Sequence, residues 1–462
     1  MDDLRKRWDA VGQGHVFRHW ERLGADEQGH LAEQLNGLDP AEVSRLAGLL
    51  QKGAAPAGAS EFEPAPVFPL ERNADQMVLA ERARQRGEEL LAAGQVGYVL
   101  VAGGQGSRLG YDGPKGEYPV GPLSGKSLFA WHAARLLAAG QRSGSAPRWY
   151  VMTSRSNDAA TRAFFQRHDH FGLGESNVFF FTQAMLPALD TEGRILLASP
   201  HELFLAPNGH GGTLDALRRS GALADAAEHG IETFSYFQVD NPLARPADPV
   251  FLGLHALEGA NMSSKVVAKR DAGEKVGVLG LAGGELGCIE YSDLPADLRD
   301  ARDAKGSLLF NAGNIAKHAI QRSFVERLTA DGLDLPWHLA RKQIQTIDDA
   351  GQPVKRDGVK FETFVFDALG RAGKSVTMEV RRDLEFSPVK NAEGEDSPAT
   401  CKRDLTRLFA GWVEASSAQE PPAGEDGLPA LEVDPRFAED GEEFAARAGA
   451  QPKSVAGGHL YE

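Results

Sequence analysis

The sequence has little cysteine, and this scarcity excludes two classes of stabilised fold. Its 462 residues include 2 cysteines, Cys288 and Cys401, which stand far apart. No Cys-x-x-Cys pair and no cluster of cysteine with histidine occurs, so neither a disulfide framework nor a structural zinc site is indicated. We therefore expect both residues to be ordinary reduced thiols.

Long apolar runs are missing as well. Nowhere do about 18 uncharged apolar residues follow one another, the length that a transmembrane helix needs. The first residues, Met-Asp-Asp-Leu-Arg-Lys-Arg, lack the apolar stretch that a secretory signal carries. We therefore predict a cytoplasmic protein with no membrane partner.

Positive charge is in deficit. The chain has 50 Lys and Arg against 65 Asp and Glu, a formal net charge of −15. Without surplus cations to release counterions, binding to nucleic acid or to an anionic membrane is not expected. Any cations that bind phosphate must therefore be gathered locally.

Patterns along the chain divide it into three predicted domains. Residues 1–95 form a helical region that includes a linker or extended strap over 52–69. Residues 96–385 alternate strands with helices, which predicts an α/β domain whose mixed, mostly parallel sheet has helices on both faces. Residues 386–462 form a small C-terminal domain with a helix near 401–415 and an acidic tail.

Strand patterns place several polar segments at one edge of the predicted sheet. Strands are predicted at 98–101, 149–153, 178–181, 233–239 and 264–269. Ligands of such sheets lie at the carboxyl ends of the strands. Gln183, Asp240 and the segment after 98–101 each follow a predicted strand, so we expect them to share a site.

The first predicted strand runs into a glycine-rich loop with two cations. Residues 99–116 read Val-Leu-Val-Ala-Gly-Gly-Gln-Gly-Ser-Arg-Leu-Gly-Tyr-Asp-Gly-Pro-Lys-Gly. Gly103 and Gly104 let the backbone bend sharply and bring its N–H groups close to an anion. Arg108 and Lys115 add positive charge beside it, so the loop is predicted to bind a triphosphate.

Neither of the two commonest phosphate loops fits this pattern. The dinucleotide fingerprint Gly-x-Gly-x-x-Gly fails because residues 104–110 contain one residue too many and an arginine in the turn. Residues 121–127 end like a Walker loop, but their first glycine lies one residue too close to Gly-Lys-Ser. Lys126 and Ser127 are instead expected to open a helix over 127–139.

Other segments offer polar groups that each allow two interpretations. Asp240, at the end of strand 233–239, is suited to hold Mg²⁺ against a triphosphate, or to make an Asx turn or helix cap. Residues 289–292 and 310–314 place polar side chains in apolar surroundings, suited to sugar hydroxyls or to buried backbone groups. Residues 207–212, Pro-Asn-Gly-His-Gly-Gly, suit either a planar base or a surface turn.

These segments together resemble a known family. The pattern Gly-Gly-x-Gly-[Ser/Thr]-Arg-Leu-Gly-x-x-x-Pro-Lys resembles the signature loop of the sugar nucleotidyltransferases. Across the chain to about residue 415, the resemblance is to the UDP-sugar pyrophosphorylases, most closely their UDP-N-acetylhexosamine branch. Its most telling stretches are 183–188, 239–243, 247–251, 310–314, 358–362 and 385–391. The resemblance implies a Rossmann-like nucleotidyltransferase fold of the glycosyltransferase-A type.

The resemblance also implies roles for individual residues. Residues implied to surround the uracil are Ala102, Gly103, Gly104, Gln183 and Gly209. Those implied to face the sugar are Gly277, Glu290 and Asn311. The phosphate-binding cations would be Arg108, Lys115 and Lys390, and Mg²⁺ would be held by Asp240. The substrate-binding set is completed by His210 and Asn241.

The implied activity is uridylyl transfer, which makes UDP-N-acetylglucosamine or a related UDP-hexosamine and pyrophosphate from UTP and the sugar 1-phosphate. His210 replaces the asparagine usual in this branch, and its Gly-His-Gly turn resembles the UDP-glucose branch. A UDP-glucose or broad-specificity enzyme is therefore one alternative. A non-catalytic nucleotide-sugar-binding protein is another, although such a protein would not require a full set of charges around the reacting phosphates. The oligomeric state is left open.

Overall fold

The computed structural model describes residues 1–52, 62–291, 293–419, 421–422 and 427–462. Residues 53–61 of the predicted linker, and Ser292 of the predicted polar segment 289–292, lie outside the described residues. Among the helices of the described ranges, none combines the length and the apolar character that a membrane span needs.

Helices alternate with strands along most of the described chain. Its α-helices are α1 (Asp2–Asp9), α2 (Ala25–Asn36), α3 (Pro40–Lys52), α4 (Ala74–Ala92), α5 (Leu128–Ser143), α6 (Asp158–Arg167), α7 (Gly212–Arg219), α8 (Ala222–Glu228), α9 (Pro249–Leu257), α10 (Ala296–Arg299), α11 (Arg322–Leu328), α12 (Leu369–Ala372), α13 (Arg382–Glu385), α14 (Pro398–Glu414) and α15 (Gly441–Ala446). Its strands are β1 (Phe62–Pro64), β2 (Val96–Val101), β3 (Arg148–Thr153), β4 (Val178–Thr182), β5 (Met185–Pro187), β6 (Leu189–Asp190), β7 (Leu197–Ser199), β8 (Glu202–Leu203), β9 (Leu205–Pro207), β10 (Thr233–Gln238), β11 (Met262–Ala268), β12 (Val278–Ala282), β13 (Glu285–Ile289), β14 (Ala312–Gln321), β15 (His338–Ile347), β16 (Pro353–Glu362), β17 (Thr377–Val380), β18 (Leu431–Val433), β19 (Lys453–Val455) and β20 (Gly458–Tyr461). Short 3₁₀ turns lie at Gly14–Phe17, Trp20–Arg22, Ser107–Leu109, Lys115–Glu117, Asp169–Gly172, Glu175–Asn177 and Val365–Ala368.

The chain forms two units, each assembled from stretches that are far apart in sequence. The first unit comprises Met1–Ser60, Gln183–Gly212 and Asp334–Val365. The second comprises Glu61–Thr182, Thr213–Leu333 and Phe366–Glu462. The predicted division into 1–95, 96–385 and 386–462 follows the order of the chain, and it stays a prediction.

The first unit packs the N-terminal helices with small antiparallel sheets. Helix α3 begins at Pro40, directly after Asp39, whose carboxylate accepts a hydrogen bond from the Ala41 N–H group at 2.9 Å. Its sheets are β15-β16-β6, β5-β9 and β7-β8. Side chains from helices and strands share one apolar core that includes Trp8, Leu31, Leu46, Leu189 and Phe361. The helical character predicted for the start of the chain is confirmed.

The second unit contains a ten-stranded sheet. The main order is β1-β12-β14-β10-β2-β3-β4, with β13 beside β12, β11 beside β14, and β17 beside β11. Neighbours in the series β10-β2-β3-β4 are parallel, as are β11 and β17, while β14 runs antiparallel to both β10 and β11. The predicted mixed α/β fold is confirmed, and β2, β3, β4, β10 and β11 correspond to the five predicted strands.

Helix α5 forms where the sequence predicts a helix over 127–139. Ser127 caps it, because its hydroxyl oxygen accepts a hydrogen bond from the Ala130 N–H group at 3.2 Å. The helix ends at Gly144, which has φ of 71°. Lys126 does not form part of a phosphate loop here, since its Nζ atom lies 2.9 Å from the carboxylate of Asp434.

The described part of the predicted acidic tail is a packed element. Strands β18, β20 and β19 form a small sheet, and the side chains of Phe444 and Tyr461 are buried beside it. Two of its carboxylates, those of Glu432 and Asp434, are fully buried. Glu432 accepts hydrogen bonds from the backbone N–H groups of residues 123 and 124 at 2.7 and 2.8 Å. These acids therefore fix the end of the chain to the loop before α5.

Candidate active site

The candidate site lies at the edge where the parallel strands of the second unit end. Strands β2 and β10 are parallel, and β14 is antiparallel to β10 and β11, so the carboxyl ends of β2, β10, β11 and β17 meet at one edge. The glycine-rich loop follows β2, Asp240 follows β10, and the segment with Lys390 follows β17. Asn311 directly precedes β14 and therefore lies at the same edge. The position at strand ends agrees with the general rule for ligand sites in open α/β sheets.

The glycine-rich loop folds back on itself as a hairpin. The N–H group of Lys115 donates to the carbonyl oxygen of Gly104 at 3.0 Å, and the N–H group of Gly106 donates to the carbonyl oxygen of Gly113 at 2.9 Å. Lys115 is thereby returned to the start of the loop, where it is 8% exposed. Arg108 is exposed and has no ion-pair partner among the residues that the structure describes.

Asn157, which the sequence analysis missed, supports the start of this loop. Its side-chain amide donates to the carbonyl oxygens of Ala102 and Gly104 at 2.9 and 3.2 Å. Its own oxygen accepts from the N–H group of Ser154 at 2.8 Å, and the residue is 1% exposed. A polar Ser-Arg-Ser-Asn run directly after a buried strand is the signal that could have revealed it.

Asp240 faces Lys115. The Oδ2 atom of Asp240 lies 3.6 Å from Nζ of Lys115, and the two side chains are 13% and 10% exposed. Two opposite charges in such a sheltered position attract more strongly than they would at an open surface. The pair therefore brings the predicted metal ligand and a predicted phosphate ligand into contact.

Asn241 ties the turn after β10 to the segment that carries Lys390. Its Nδ2 atom donates to the carbonyl oxygen of Glu385 at 2.7 Å, and its Oδ1 atom accepts from the N–H group of Ser387 at 3.1 Å. The N–H group of Val389 donates to the carbonyl oxygen of Asp240 at 2.8 Å. The structure thus gives Asn241 a positioning role, and its predicted contact with substrate stays a prediction.

Lys390 lines the same cavity as Asp240. This cavity is also bounded by Asn241, Ala316 and Lys317. The ammonium group of Lys390 lies 3.7 Å from the carboxylate of Asp396, and its side chain is 42% exposed. Because the side chain is partly exposed, its charge is accessible to a ligand.

The three residues predicted to face the sugar lie close together in the second unit. Val278 pairs with both Ile289 and Gly313, so Gly277, Glu290 and Asn311 flank adjacent strand ends. A Cβ atom built on Gly277 would lie 3.3 Å from Oε1 of Glu290. The Oδ1 atom of Asn311 accepts a hydrogen bond from the N–H group of Lys269 at 2.7 Å. Their contact with a sugar stays a prediction.

Gln183, Gly209 and His210 lie in the first unit, whereas Ala102, Gly103 and Gly104 lie in the second. The Nε2 atom of Gln183 donates to the carbonyl oxygen of Gly209 at 2.6 Å, which shapes the turn after β9. The imidazole of His210 accepts through Nδ1 from the N–H group of Val365 at 3.2 Å, and it packs on Phe364 with ring centroids 5.2 Å apart. The convergence of these residues around a uracil stays a prediction.

A strained bulge in β14 forms another wall of the cavity, and no sequence signal predicts it. The register of β14 against β11 shifts between Lys265 and Val266, opposite Asn314 and Lys317. Within the bulge, Ala316 has φ of 53°, an uncommon value for a residue with a side chain. Its N–H group donates to the side-chain oxygen of Asn314 at 2.9 Å. Strain of this kind recurs at functional sites.

A buried cluster of charged side chains lies next to the cavity and holds the start of the segment that contains Lys390. Lys265 is fully buried and contacts the carboxylates of Asp248 and Glu385, the latter at 2.6 Å. Lys317 lies 3.4 Å from Glu385. Burial, followed by repulsion from Lys265, lowers the pKa of Lys317 well below its ordinary value. The cluster fixes Glu385 at the start of the Lys390 segment.

The described residues contain no group of three or more His, Cys, Asp or Glu side chains that could hold a metal unaided. A lone carboxylate at a phosphate site nevertheless suits Mg²⁺, which is commonly bound by one or two carboxylates together with substrate phosphates. Asp240 therefore fits a metal that arrives with a triphosphate.

The chain is similar to known proteins in both sequence and fold. The family model described as UTP–glucose-1-phosphate uridylyltransferase matches residues 65–417. The chain belongs to this family. The predicted resemblance to UDP-sugar pyrophosphorylases is confirmed, and with it the predicted class of enzyme, a nucleotidyltransferase.

Individual members of the uridylyltransferase family show how far the similarity extends. The chain is 33% identical to the UDP-N-acetylglucosamine pyrophosphorylase of Saccharomyces cerevisiae, over 90% of this chain and 92% of that protein. It is 37% identical to UDP-N-acetylhexosamine pyrophosphorylase-like protein 1 of Xenopus tropicalis, over 89% of this chain and 84% of that protein. The crystal structure of uridine diphosphate N-acetylglucosamine pyrophosphorylase from Trypanosoma brucei in complex with inhibitor superposes with a TM-score of 0.81 at 28% identity. That match covers 96% of this chain and 94% of that chain.

Proposed function

We propose that this chain is a UDP-N-acetylglucosamine pyrophosphorylase, which makes UDP-N-acetylglucosamine and pyrophosphate from UTP and N-acetylglucosamine 1-phosphate. Two relatives with this name, one of them named as probable, match 91% and 90% of the chain at 35% and 33% identity. The pairing of Lys115 with Asp240 at the end of β10 is the structural observation that carries the proposal. It brings a cation and a possible metal ligand together where the reacting phosphates would lie.

The proposed chemistry is a direct transfer between phosphates. An oxygen of the sugar 1-phosphate forms a bond to the α-phosphorus of UTP, while the bond from that phosphorus to the bridging oxygen breaks and pyrophosphate leaves with the electron pair. A phosphate monoester has a second pKa of about 6 and is already largely dianionic at neutral pH, so no general base is needed. The barrier is the approach of two anions, and positioned charge lowers it.

Three cations of this chain are proposed to supply that charge. The backbone N–H group of Lys115 binds the carbonyl oxygen of Gly104, and its ammonium group faces Asp240. Arg108 is exposed on the same loop, and Lys390 reaches the cavity from the segment after β17. Because Lys390 comes from a different element than Arg108 and Lys115, the three cations would be able to contact different phosphate groups of the two substrates.

Asp240 is proposed to hold Mg²⁺ together with oxygens of the triphosphate. When bound, the metal would neutralise charge on the phosphates. Lys115 beside Asp240 would then face both the carboxylate and a phosphate oxygen. Because this pair is sheltered from solvent, the alignment of the carboxylate would be kept before substrate arrives.

Substrate choice is proposed to depend on two residue groups. The Nε2 atom of Gln183 already donates to Gly209, so its Oε1 atom is the group that would accept a hydrogen bond from the imide N–H of uracil. Gly104, where a Cβ atom would meet nothing within 4 Å, would leave room beside the nucleotide. Glu290 and Asn311 would bind sugar hydroxyls. Since His210 already has contacts with Val365 and Phe364, its presence has a local structural reason and does not itself favour glucose 1-phosphate.

The test is a pyrophosphate-release assay with UTP and Mg²⁺. The sugar phosphates compared are the 1-phosphates of N-acetylglucosamine, N-acetylgalactosamine and glucose. We expect N-acetylglucosamine 1-phosphate to give the highest kcat/KM. A higher value with glucose 1-phosphate would favour the UDP-glucose alternative, and binding of UDP-sugar without any turnover would favour a non-catalytic role. Action in the cytoplasm and the lack of a nucleic-acid partner remain predictions.

A further inference from the structure

Two side chains of helix α5 bind the backbone of the turn that contains Asp240. The Nε2 atom of His132 lies 3.0 Å from the carbonyl oxygen of Val239. The Nε atom of Arg135 donates to the carbonyl oxygen of Pro242 at 3.0 Å. The two contacts fall on either side of Asp240 in the chain. Since positions three apart on a helix share one face, α5 holds the turn at two points from a single rigid element.

The other carbonyl oxygens of the turn have backbone partners. That of Asp240 accepts from Val389, and that of Asn241 accepts from the N–H group of Ala244 at 3.1 Å. With its backbone bound in this way, the turn presents the Asp240 carboxylate toward Lys115. A change in any of these contacts would move the carboxylate together with the backbone that carries it.

Arg135 is itself held by the C-terminal segment. It is 4% exposed, and its NH1 atom lies 3.3 Å from Oε1 of Glu439. Glu439 also contacts Arg142, about two helical turns further along α5. A buried guanidinium requires an anionic partner and satisfied donors, so the orientation of Arg135 depends on Glu439.

We propose that Arg135, held by Glu439, is a positioning residue for the metal-binding carboxylate of Asp240. This inference rests on the proposed function. The C-terminal segment then acts on catalysis through Arg135 and the backbone at Pro242, although Glu439 lies 304 positions after Arg135 in the chain. The buried arginine on the apolar face of α5 is the sequence signal for this arrangement.

Two variants distinguish the contribution of the guanidinium's shape from that of its charge. Arg135→Lys keeps a cation near Glu439 but lacks the fork that contacts two acceptors at once. The double variant Arg135→Met with Glu439→Gln removes both charges, so no buried ion is left alone and the protein is expected to fold. We expect both to lower kcat and to raise the Kd for Mg²⁺ of the UTP complex, measured by calorimetric titration without the sugar phosphate, each by about 10-fold or more, as for loss of other supporting contacts behind a metal ligand. The KM for UTP at saturating Mg²⁺ should change far less.

Arg148→Met is the matched control. Arg148 also joins a carboxylate, that of Asp225, to a carbonyl oxygen, that of Ser176, but it lies at the first residue of β3, on the opposite edge of the sheet. We expect this variant to lose thermal stability and to keep the wild-type Mg²⁺ dependence.

Asp240→Asn distinguishes the two claims. A strong loss of Mg²⁺ response in Asp240→Asn, with wild-type kcat and Mg²⁺ dependence in both Arg135 variants, would overturn the positioning role and leave the proposed function standing. A wild-type Mg²⁺ response in Asp240→Asn would overturn the positioning role together with the proposed binding of Mg²⁺ by Asp240, while the activity itself is decided by the pyrophosphate-release assay. Should the Arg135 variants fail to fold, Glu439→Gln alone provides the measurement, since it takes the anionic partner from Arg135 without removing the guanidinium. The same direction of change supports the proposal, and wild-type kinetics contradict it.

Discussion

The ammonium group of Lys115 and the carboxylate of Asp240 lie 3.6 Å apart, although 125 positions separate them in the sequence. They meet because β2 and β10 are adjacent parallel strands, and the segments after them leave the sheet at the same edge. In the proposed reaction this edge binds the phosphates that exchange a bond. The contact therefore links the topology of the sheet directly to its chemistry.

Removal of the Lys115 charge should reduce turnover without unfolding the protein. Because the ammonium group is proposed to offset charge that builds up in the transition state, Lys115→Ala is expected to lower kcat by about 10²-fold or more. Lys126→Ala provides a comparison, since Lys126 binds Asp434 away from this loop. Steady-state kinetics with UTP and the sugar phosphate would measure both. Unchanged kcat in Lys115→Ala would remove it from the catalytic set.

Two glycines of the phosphate loop should respond differently to alanine. A Cβ atom on Gly104 meets nothing within 4 Å, whereas one on Gly116 would overlap the ring of Phe129. Gly104→Ala should fold normally and raise the KM for UTP by about 10-fold, because the methyl group would occupy space proposed for the nucleotide. Gly116→Ala should instead lower the free energy of unfolding by about 1–3 kcal/mol. Denaturant titration and kinetics on both variants separate these effects, and a normal KM in Gly104→Ala would argue against nucleotide contact there.

Much of the second unit could be predicted because its signals are local. Buried strands such as β2 and β10 read as apolar runs, and Ser127 marks the start of α5. The two-unit division was beyond sequence reasoning, since residues 183–212 and 334–365 join the N-terminal helices only through long-range pairing. Likewise, no local pattern encodes the bulge at Ala316, because it depends on the register of β14 against β11.

The residues of the candidate site also differ in whether a local sequence pattern predicts them. Arg108, Lys115 and Asp240 belong to recognisable motifs, so the sequence identifies them. Asn157 and Arg135 act through backbone carbonyl oxygens of other segments. A polar run after β3 and an arginine on the apolar face of α5 point to these residues, but only the fold shows which carbonyl oxygens they contact. The sequence predicts only an acidic tail near the C-terminus, whereas Glu432 and Asp434 are buried there because backbone N–H groups and Lys126 satisfy them.

The buried cluster around Lys265 should be essential for stability. Lys265→Met would leave the carboxylates of Asp248 and Glu385 with one cation fewer, and loss of one partner of a buried ion pair costs about 3–5 kcal/mol. Arg84 also contacts two carboxylates, those of Glu81 and Glu88, but on an exposed helix face. Arg84→Met should leave the urea midpoint almost unchanged. Equal shifts of the midpoint in the two variants would contradict this view of the cluster.

The identity of residue 210 should matter for local stability and little for the choice of sugar. His210→Asn is expected to lower the melting temperature, because the packing on Phe364 is lost. The ratio of kcat/KM for N-acetylglucosamine 1-phosphate to that for glucose 1-phosphate should stay as in the wild type. A large shift of this ratio in the competition assay would show that His210 contributes to sugar selection.

The central claim is that the reacting phosphates lie between Lys115, Asp240 and Lys390. A crystal structure with UDP-N-acetylglucosamine and Mg²⁺ measures this directly. We expect the diphosphate to contact Lys115 and the metal to be bound to the Asp240 carboxylate, with Lys390 turned from Asp396 toward a phosphate. A diphosphate bound away from the loop of Lys115, with no metal at Asp240, would contradict the account.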